Sequence, residues 1–290
     1  MIPLLPRAVI IALANVAGIL TFYFSKRERT IGLANLDIVL GDSKSPSEKK
    51  TILKKSLSSF AQTMLDIFWF SVGTEKRIRK YHRFVPENGP FFDKCAHVVI
   101  TAHTGNWELF GISSAMCGID MAGIAAEIKN HMVNKRLVTL RQRTGLTIIA
   151  REGAMRTLVS RLRNNEKTVF VLDQNVEESK GGIWVNFLGM PTLVSAAPAH
   201  LAYRTGTKII FAFSHPVGGG KYETHTGQTI TPPTYKAEQD KDVVIKALTQ
   251  QIMDVVSAHI HEHPELWLWS YKHWKTVAPG DDPNNYPVYH

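Results

Sequence analysis

Polarity along the chain changes its period several times, and the first change is the most abrupt. Residues 8–24, AVIIALANVAGILTFYF, are apolar except at Asn15 and Thr21, and the run passes into the cationic SKRERT. About 17 residues at roughly 1.5 Å each give about 26 Å, slightly short of the roughly 30 Å hydrocarbon core of a bilayer. The segment reads as a membrane-anchoring helix that spans with flanking help or lies at the interface; a buried core helix is the alternative. Lys26, Arg27 and Arg29 follow the run rather than precede it, which argues against a cleaved signal peptide and for a cytoplasmic C-terminal side. Next, Ser45-Pro46-Ser47-Glu48 has the form of a capping box with proline at the first helical position. Leu53, Leu57, Phe60, Met64 and Ile67 then recur at steps of four and three residues. They predict an amphipathic helix with a cationic start (Lys49, Lys50, Lys54, Lys55), packed either on a core or on lipid.

After PENGP at 86–90, short continuous apolar runs alternate with stretches of helical period. VVITA, LTIIA, TVFVLDQ and KIIFAFS read as strands. The stretches from about Trp107, around Asn134 to Arg143, Ala154 to Arg163, Pro198 to Arg204 and Asp242 to His261 read as helices. The pattern predicts an α/β fold, a mixed and mostly parallel sheet flanked by helices behind the N-terminal hydrophobic membrane helix. YETHTGQTI alternates and reads as an edge strand. With no repeat and no low-complexity linker, the simplest partition is a membrane anchor over residues 1–27 and a single α/β domain over 28–290.

The candidate chemistry sits in VVITAHTGNWELFGIS, residues 98–113, where a β-branched run ends on His103 and Glu108 follows five positions later. Sites in α/β sheets gather where strands end and helices begin. On one continuous helix that spacing would put the two side chains on different faces, so the pair needs a turn. Gly105 and Asn106 suit one, since both tolerate unusual backbone angles and asparagine caps helices. A carboxylate on one imidazole nitrogen fixes the tautomer and leaves the other nitrogen to take a proton from a hydroxyl. A structural histidine at a strand end stands equal to this reading on the residues alone. No G-x-S-x-G elbow is present, and no acyl-enzyme is expected.

Composition narrows the partners. The apolar content of 44% over 290 residues fills a sizeable core, and a net charge of +9 points to anionic partners. With only Cys95 and Cys117 there is no disulfide framework and no thiolate cluster for zinc; both read as core thiols in a reducing cytosol. His259, His261 and His263 in HIHEHPE read as a polar helix end, so no metal is expected. PELWLWSYKHWK mixes Trp267, Trp269, Tyr271 and Trp274 with Lys272 and Lys275, which suits either a lipid headgroup zone or core packing. No RNP-like motif accompanies them, and nucleic acid is not an expected partner.

Taken in order, these blocks resemble the lipid A biosynthesis (late) acyltransferases of the lysophospholipid acyltransferase superfamily, with its H-x4-D/E signature. RERTIGLANL at 27–36, AHTGNWELFG, IKNHMVNKRLVTLRQRTGLTIIAR ending at Arg151, TVFVLDQN, GGIWVNFLGMPTLVSAAPAHLA and HPELWLWSYKHWK occur in the family's order from about residue 3 to 275. Two blocks depart from it. Phe187-Leu188-Gly189 replaces an aromatic pair before glycine and Met190-Pro191-Thr192 follows, while Tyr271-Lys272-His273 stands where relatives carry more arginine. These departures bear on chain length, acceptor and headgroup recognition.

The resemblance implies transfer of an acyl chain from an acyl carrier protein thioester, or acyl-CoA, to a hydroxyl of a lipid A precursor or a lysophospholipid. The setting it implies is the cytoplasmic face of the inner membrane of a Gram-negative bacterium. His103 would be the general base and Glu108 its orienting partner. Asn106, Arg151, Asp173, Gln174, Gly189 and Pro191 would bind substrate, Arg151 through bidentate contacts to phosphate or carrier. No cofactor is implied. Hydrolysis with water as acceptor, as in a thioesterase, is the competing chemistry.

Overall fold

The structure, a computed structural model, describes residues 2–124, 130–149, 153–236 and 240–289. From the N-terminus it runs through α1 (Arg7–Phe24), α2 (Lys26–Leu40), α3 (Pro46–Trp69) and α4 (Thr74–Tyr81) to β1 (His82–Val85) and β2 (His97–Thr101). The middle of the chain forms α5 (Trp107–Met116), β3 (Met121–Ile124), α6 (His131–Thr144), β4 (Thr147–Ile149), α7 (Ala154–Arg163) and β5 (Lys167–Val171). There follow β6 (Gly182–Phe187), β7 (Met190–Ser195), α8 (Ala197–Thr205), β8 (Ile209–Phe211), β9 (Phe213–Pro216), β10 (Tyr222–His225), β11 (Thr229–Ile230) and α9 (Lys241–Glu262). Two compact units result. The first is Met1–Ile11, Thr63–Val171 and Ala197–Glu238; the second is Ala12–Gln62, Leu172–Ala196 and Gln239–His290.

In the first unit a six-stranded sheet has the order β11-β8-β2-β5-β3-β4. β8, β2, β5, β3 and β4 run parallel, and β11 is an antiparallel edge. The expected mixed, mostly parallel sheet is thus present. All five residues of β2 are buried, with Ile100 beside Phe170 on one side and Phe211 on the other. That burial is why the sequence of β2 is continuously apolar instead of alternating. Between the strands, α5 packs on α6 and α7 on α8.

Two strand expectations are corrected here. KIIFAFS is not one strand, because β8 belongs to the large sheet while β9 joins a three-stranded sheet of order β1-β10-β9. A continuous apolar run carries no signal for a change of sheet. Within YETHTGQTI, β10 is a central strand between β1 and β9, and only Thr229–Ile230 forms an edge. Tyr222 and Thr224 are buried while Glu223 and His225 are not. The alternation therefore reported one solvated face and not an edge position. The apolar packing of this unit includes Trp69, Phe70, Leu109, Ile112 and Leu140 in one cluster and Phe84, Phe91, Phe110 and Ile210 in another.

In the second unit, α3 opens on the expected capping box, with Ser45 N donating to Glu48 at 2.8 Å and Glu48 N to Ser45 Oγ at 3.3 Å. The segment GGIWVNFLGMPTLVS forms a hairpin, β6 paired antiparallel with β7. Its turn is made by Leu188 at φ +54° and Gly189 at φ +86°, the signs a type I′ turn requires. Trp267, Trp269 and Trp274 are at most 1% exposed, which settles them as core and not a headgroup belt. α1 is long and apolar enough to cross a membrane by length and composition. Within this unit its Gly18 lies against α3, where a Cβ would come within 2.3 Å of Ser58 Oγ, while Leu13, Val16, Leu20 and Tyr23 are exposed. Back in the first unit, Cys95 and Cys117 are exposed and not core thiols. Cys117 caps the end of α5 and Cys95 precedes β2, and such junctions face solvent whatever the side chain prefers.

Candidate active site

The parallel strand β2 delivers the chain to a tight turn at residues 102–106 in the first unit, and α5 starts at Trp107. Gly105 makes the turn possible. Its φ is +55°, and a Cβ there would lie 1.8 Å from the Ser214 carbonyl oxygen of β9. That same oxygen accepts the Asn106 N–H at 3.1 Å. From α3, Thr63 Oγ1 donates to the Gly105 carbonyl at 2.9 Å. Asn106 caps α5 by accepting from Leu109 N at 2.9 Å, as the sequence suggested.

The turn separates the two expected catalytic side chains. His103 is partly buried and its ring stands edge-on to Trp107 with centroids 4.9 Å apart. Glu108 occupies the first turn of α5, where the helix dipole favours a negative charge. It is held from α6, where Arg141 Nη2 donates to Oε1 at 2.8 Å and Oε2 at 3.0 Å. A small apolar cavity, about the size of one water, lies beside Asp66, Asn106 and Glu108, and its walls include Ile67, Phe70, Leu109, Ile112 and Leu140.

A buried charge cluster supports the turn from below. Asp66, 2% exposed on α3, accepts from Asn106 Nδ2 at 2.9 Å, from Tyr222 Oη at 2.8 Å and from both terminal nitrogens of Arg7. Arg7 Nε donates to the Gly220 carbonyl at 3.1 Å, and its guanidinium lies 4.9 Å from the Trp69 ring centroid. Burial pushes the Asp66 carboxyl up, against the downward pull of its donors Arg7, Tyr222 and Asn106. Burial first, and the Asp66 charge second, raise Tyr222 well above the usual phenol value, so its hydroxyl serves as a donor.

Of the residues singled out from sequence, His103, Asn106 and Glu108 lie together at this strand-to-helix junction. Asp173, Gln174, Gly189 and Pro191 belong to the second unit. There the Asp173 carboxylate accepts from Trp267 Nε1 at 2.8 Å, Gly189 is the exposed turn residue, and Pro191 stands opposite Asn186 in the hairpin. Arg151 lies outside the described residues. Sequence reasoning missed Arg7, Asp66, Arg141 and Tyr222. The available signal was charge on an apolar face, Asp66 beside Ile67 and Arg141 beside Leu140, since lone buried charges require partners.

The family model for bacterial lipid A biosynthesis acyltransferase matches residues 1–276. Phosphatidylinositol mannoside acyltransferases of Mycobacterium tuberculosis and Mycolicibacterium smegmatis are each 25% identical over 181 residues, which is 61% of this chain and 54% and 56% of theirs. The chain thus spans about half the length of the curated relatives it matches. Among solved structures, a 1-acyl-sn-glycerophosphate acyltransferase from Thermotoga maritima aligns at 12% identity and a TM-score of 0.35, over 87% of this chain and 98% of that one.

Proposed function

The chain belongs to the bacterial lipid A biosynthesis acyltransferase family, and from that premise we propose that it moves a fatty acyl chain from a thioester to a lipid hydroxyl, with His103 as general base. The observation that carries this reading is the junction itself, with His103 at the end of a buried parallel strand and Glu108 in the first turn of the next helix. In the proposed step, an imidazole nitrogen of His103 takes the proton of the acceptor hydroxyl as its oxygen attacks the thioester carbonyl. The tetrahedral oxyanion collapses, the carbon–sulfur bond breaks, and the departing thiolate recovers the proton from the imidazolium. The product is an ester, and no acyl-enzyme forms. Glu108, anchored by Arg141, orients the imidazole and stabilises its charged form.

Acyl carrier protein is the proposed donor and an under-acylated lipid A precursor the leading acceptor, in keeping with the family. The mycobacterial relatives favour a second acceptor, a glycosylated phospholipid, which offers the same nucleophile, a sugar hydroxyl on an anionic lipid. The exposed apolar side of α1 supports action at a membrane surface, with the catalytic unit on the cytoplasmic side. Arg151, Asp173, Gln174, Gly189 and Pro191 are kept as candidate substrate contacts. The test is mass spectrometry of lipids after incubating the detergent-purified chain and its His103→Ala variant with thioester donors of several lengths and both acceptor types. A His103-dependent mass gain is expected, and removing a general base costs about 10² to 10⁴ in rate. Near-normal transfer by His103→Ala would overturn the role given to His103.

A further inference from the structure

We propose that Asp66, compensated by Arg7, is a positioning residue that locks the turn between His103 and Glu108 through the side-chain amide of Asn106; this rests on the acyl-transfer reading of the site. Capping α5 uses only the Asn106 oxygen, which accepts from Leu109 N. The amide nitrogen is then a second buried donor on a residue 1% exposed, and a buried donor needs an acceptor. Asp66 Oδ2 supplies it at 2.9 Å. Only one orientation of the amide satisfies both contacts. Rotated by half a turn, it would set an oxygen against the Asp66 carboxylate and N–H groups against the Leu109 N–H.

The grip is doubled from the same helix. Thr63, three residues before Asp66 on one face of α3, donates to the carbonyl of Gly105. Consecutive turn residues, Gly105 and Asn106, are therefore both held by α3, and the Ser214 carbonyl holds the backbone of Asn106 from the opposite strand. The carboxylate that does this is itself fixed by Arg7 and Tyr222. A cap needs none of this apparatus, because serine or an exposed asparagine caps a helix equally well. What the cluster adds is a fixed offset between His103 and Glu108, and small misplacements of a catalytic group cost about 10²-fold in rate. It also assigns Asn106 a role different from substrate binding.

The experiment is a double-mutant cycle on the full chain, reading kcat, KM for donor and acceptor, and thermal midpoint. Asn106→Ser keeps the cap and removes the tether. It is expected to leave KM and the thermal midpoint near wild type while kcat falls by about 10- to 100-fold. Asn106→Asp opposes two carboxylates and is expected to lose more, while the exchange Asp66→Asn with Asn106→Asp restores an amide-to-carboxylate bond. The exchange should recover at least about tenfold of the kcat lost in Asn106→Asp. Wild-type kcat in Asn106→Ser, or a raised KM with unchanged kcat, would overturn the proposal. Should Asn106→Asp fail to fold, Asn106→Ser decides alone. His103→Ala runs alongside: if it retains transfer, the reading of the site falls and takes this inference with it, whereas full dependence on His103 with an unaffected Asn106→Ser sinks only the inference.

Discussion

One terminal nitrogen of Arg141 reaches both carboxylate oxygens of Glu108, at 2.8 and 3.0 Å, with the two side chains only 13% and 11% exposed. An ion pair this enclosed is weakly screened, and deleting one member leaves the other as an uncompensated charge. Arg141→Met should lower kcat about 10- to 100-fold and destabilise the chain by about 1–3 kcal/mol. Arg141→Lys should regain part of both, since an ammonium keeps the charge but is more strongly hydrated than a guanidinium. Steady-state rates and thermal midpoints of the purified variants check this. Unchanged kcat in Arg141→Met would remove Arg141 from the site.

Local pattern made the frame legible. The capping box at Ser45, the helix starting at Trp107 and the buried strand from His97 to Thr101 each follow from a signal within a few residues, as does the turn through Gly105 and Asn106. What stayed hidden joins positions far apart in the chain. Arg7, Asp66, Asn106 and Tyr222 meet only because α1, α3, the turn and β10 converge in the first unit. No residue in α6 marks Arg141 as the partner of Glu108 from a distance of 33 positions. Asp173 is a further case of a distant partner. Its place at the end of an apolar run gives no sign that its carboxylate accepts from a tryptophan 94 positions on.

Asp173 can be sorted between a structural and a substrate-binding role. Its carboxylate, 1% exposed, accepts the indole N–H of Trp267, and Trp267 stacks on His273 with centroids 4.2 Å apart. Asp173→Ala should leave a buried indole donor unpaired and cost about 1–3 kcal/mol. If the residue is structural, KM of the folded variant for both substrates stays at the wild-type value. A raised KM without loss of thermal stability would instead support the substrate-binding role.

The first unit should lose stability in acid through His82. Burial lowers this imidazole from its usual 6.5 to about 3, with its Nε2 2.7 Å from Thr224 Oγ1. The folded state thus binds a proton less readily than the unfolded one. Stability from this group is full above about pH 6.5 and falls as pH drops toward 3, by about 1.4 kcal/mol per unit at most. His97, lowered by burial and then by Lys167, acts in the same direction. Thermal midpoints between pH 7 and about 4 should fall less steeply in His82→Gln than in wild type. Parallel curves would show that His82 does not carry the acid dependence.

The exposed stripe on α1 gives the membrane reading its own test. Leu13, Val16, Leu20 and Tyr23 recur at steps of four and three residues and are each more than 40% exposed, whereas Ala14, Gly18 and Phe22 are buried. Lys54 of α3 lies 4.8 Å from the ring centroids of both Phe22 and Tyr23, and the aromatic-cation pairing suits the level of lipid headgroups. An amphipathic helix of this form binds through its apolar area, at about 25 cal/mol for each Å² removed from water. Replacing Leu13, Val16 and Leu20 by serine leaves the buried side intact. The triple variant should therefore keep its thermal midpoint in detergent while binding vesicles of zwitterionic and anionic phospholipid at least about tenfold more weakly. Sedimentation with such vesicles measures it. Equal binding by wild type and variant would mean that this face does not meet lipid, and the membrane assignment would have to rest on another surface.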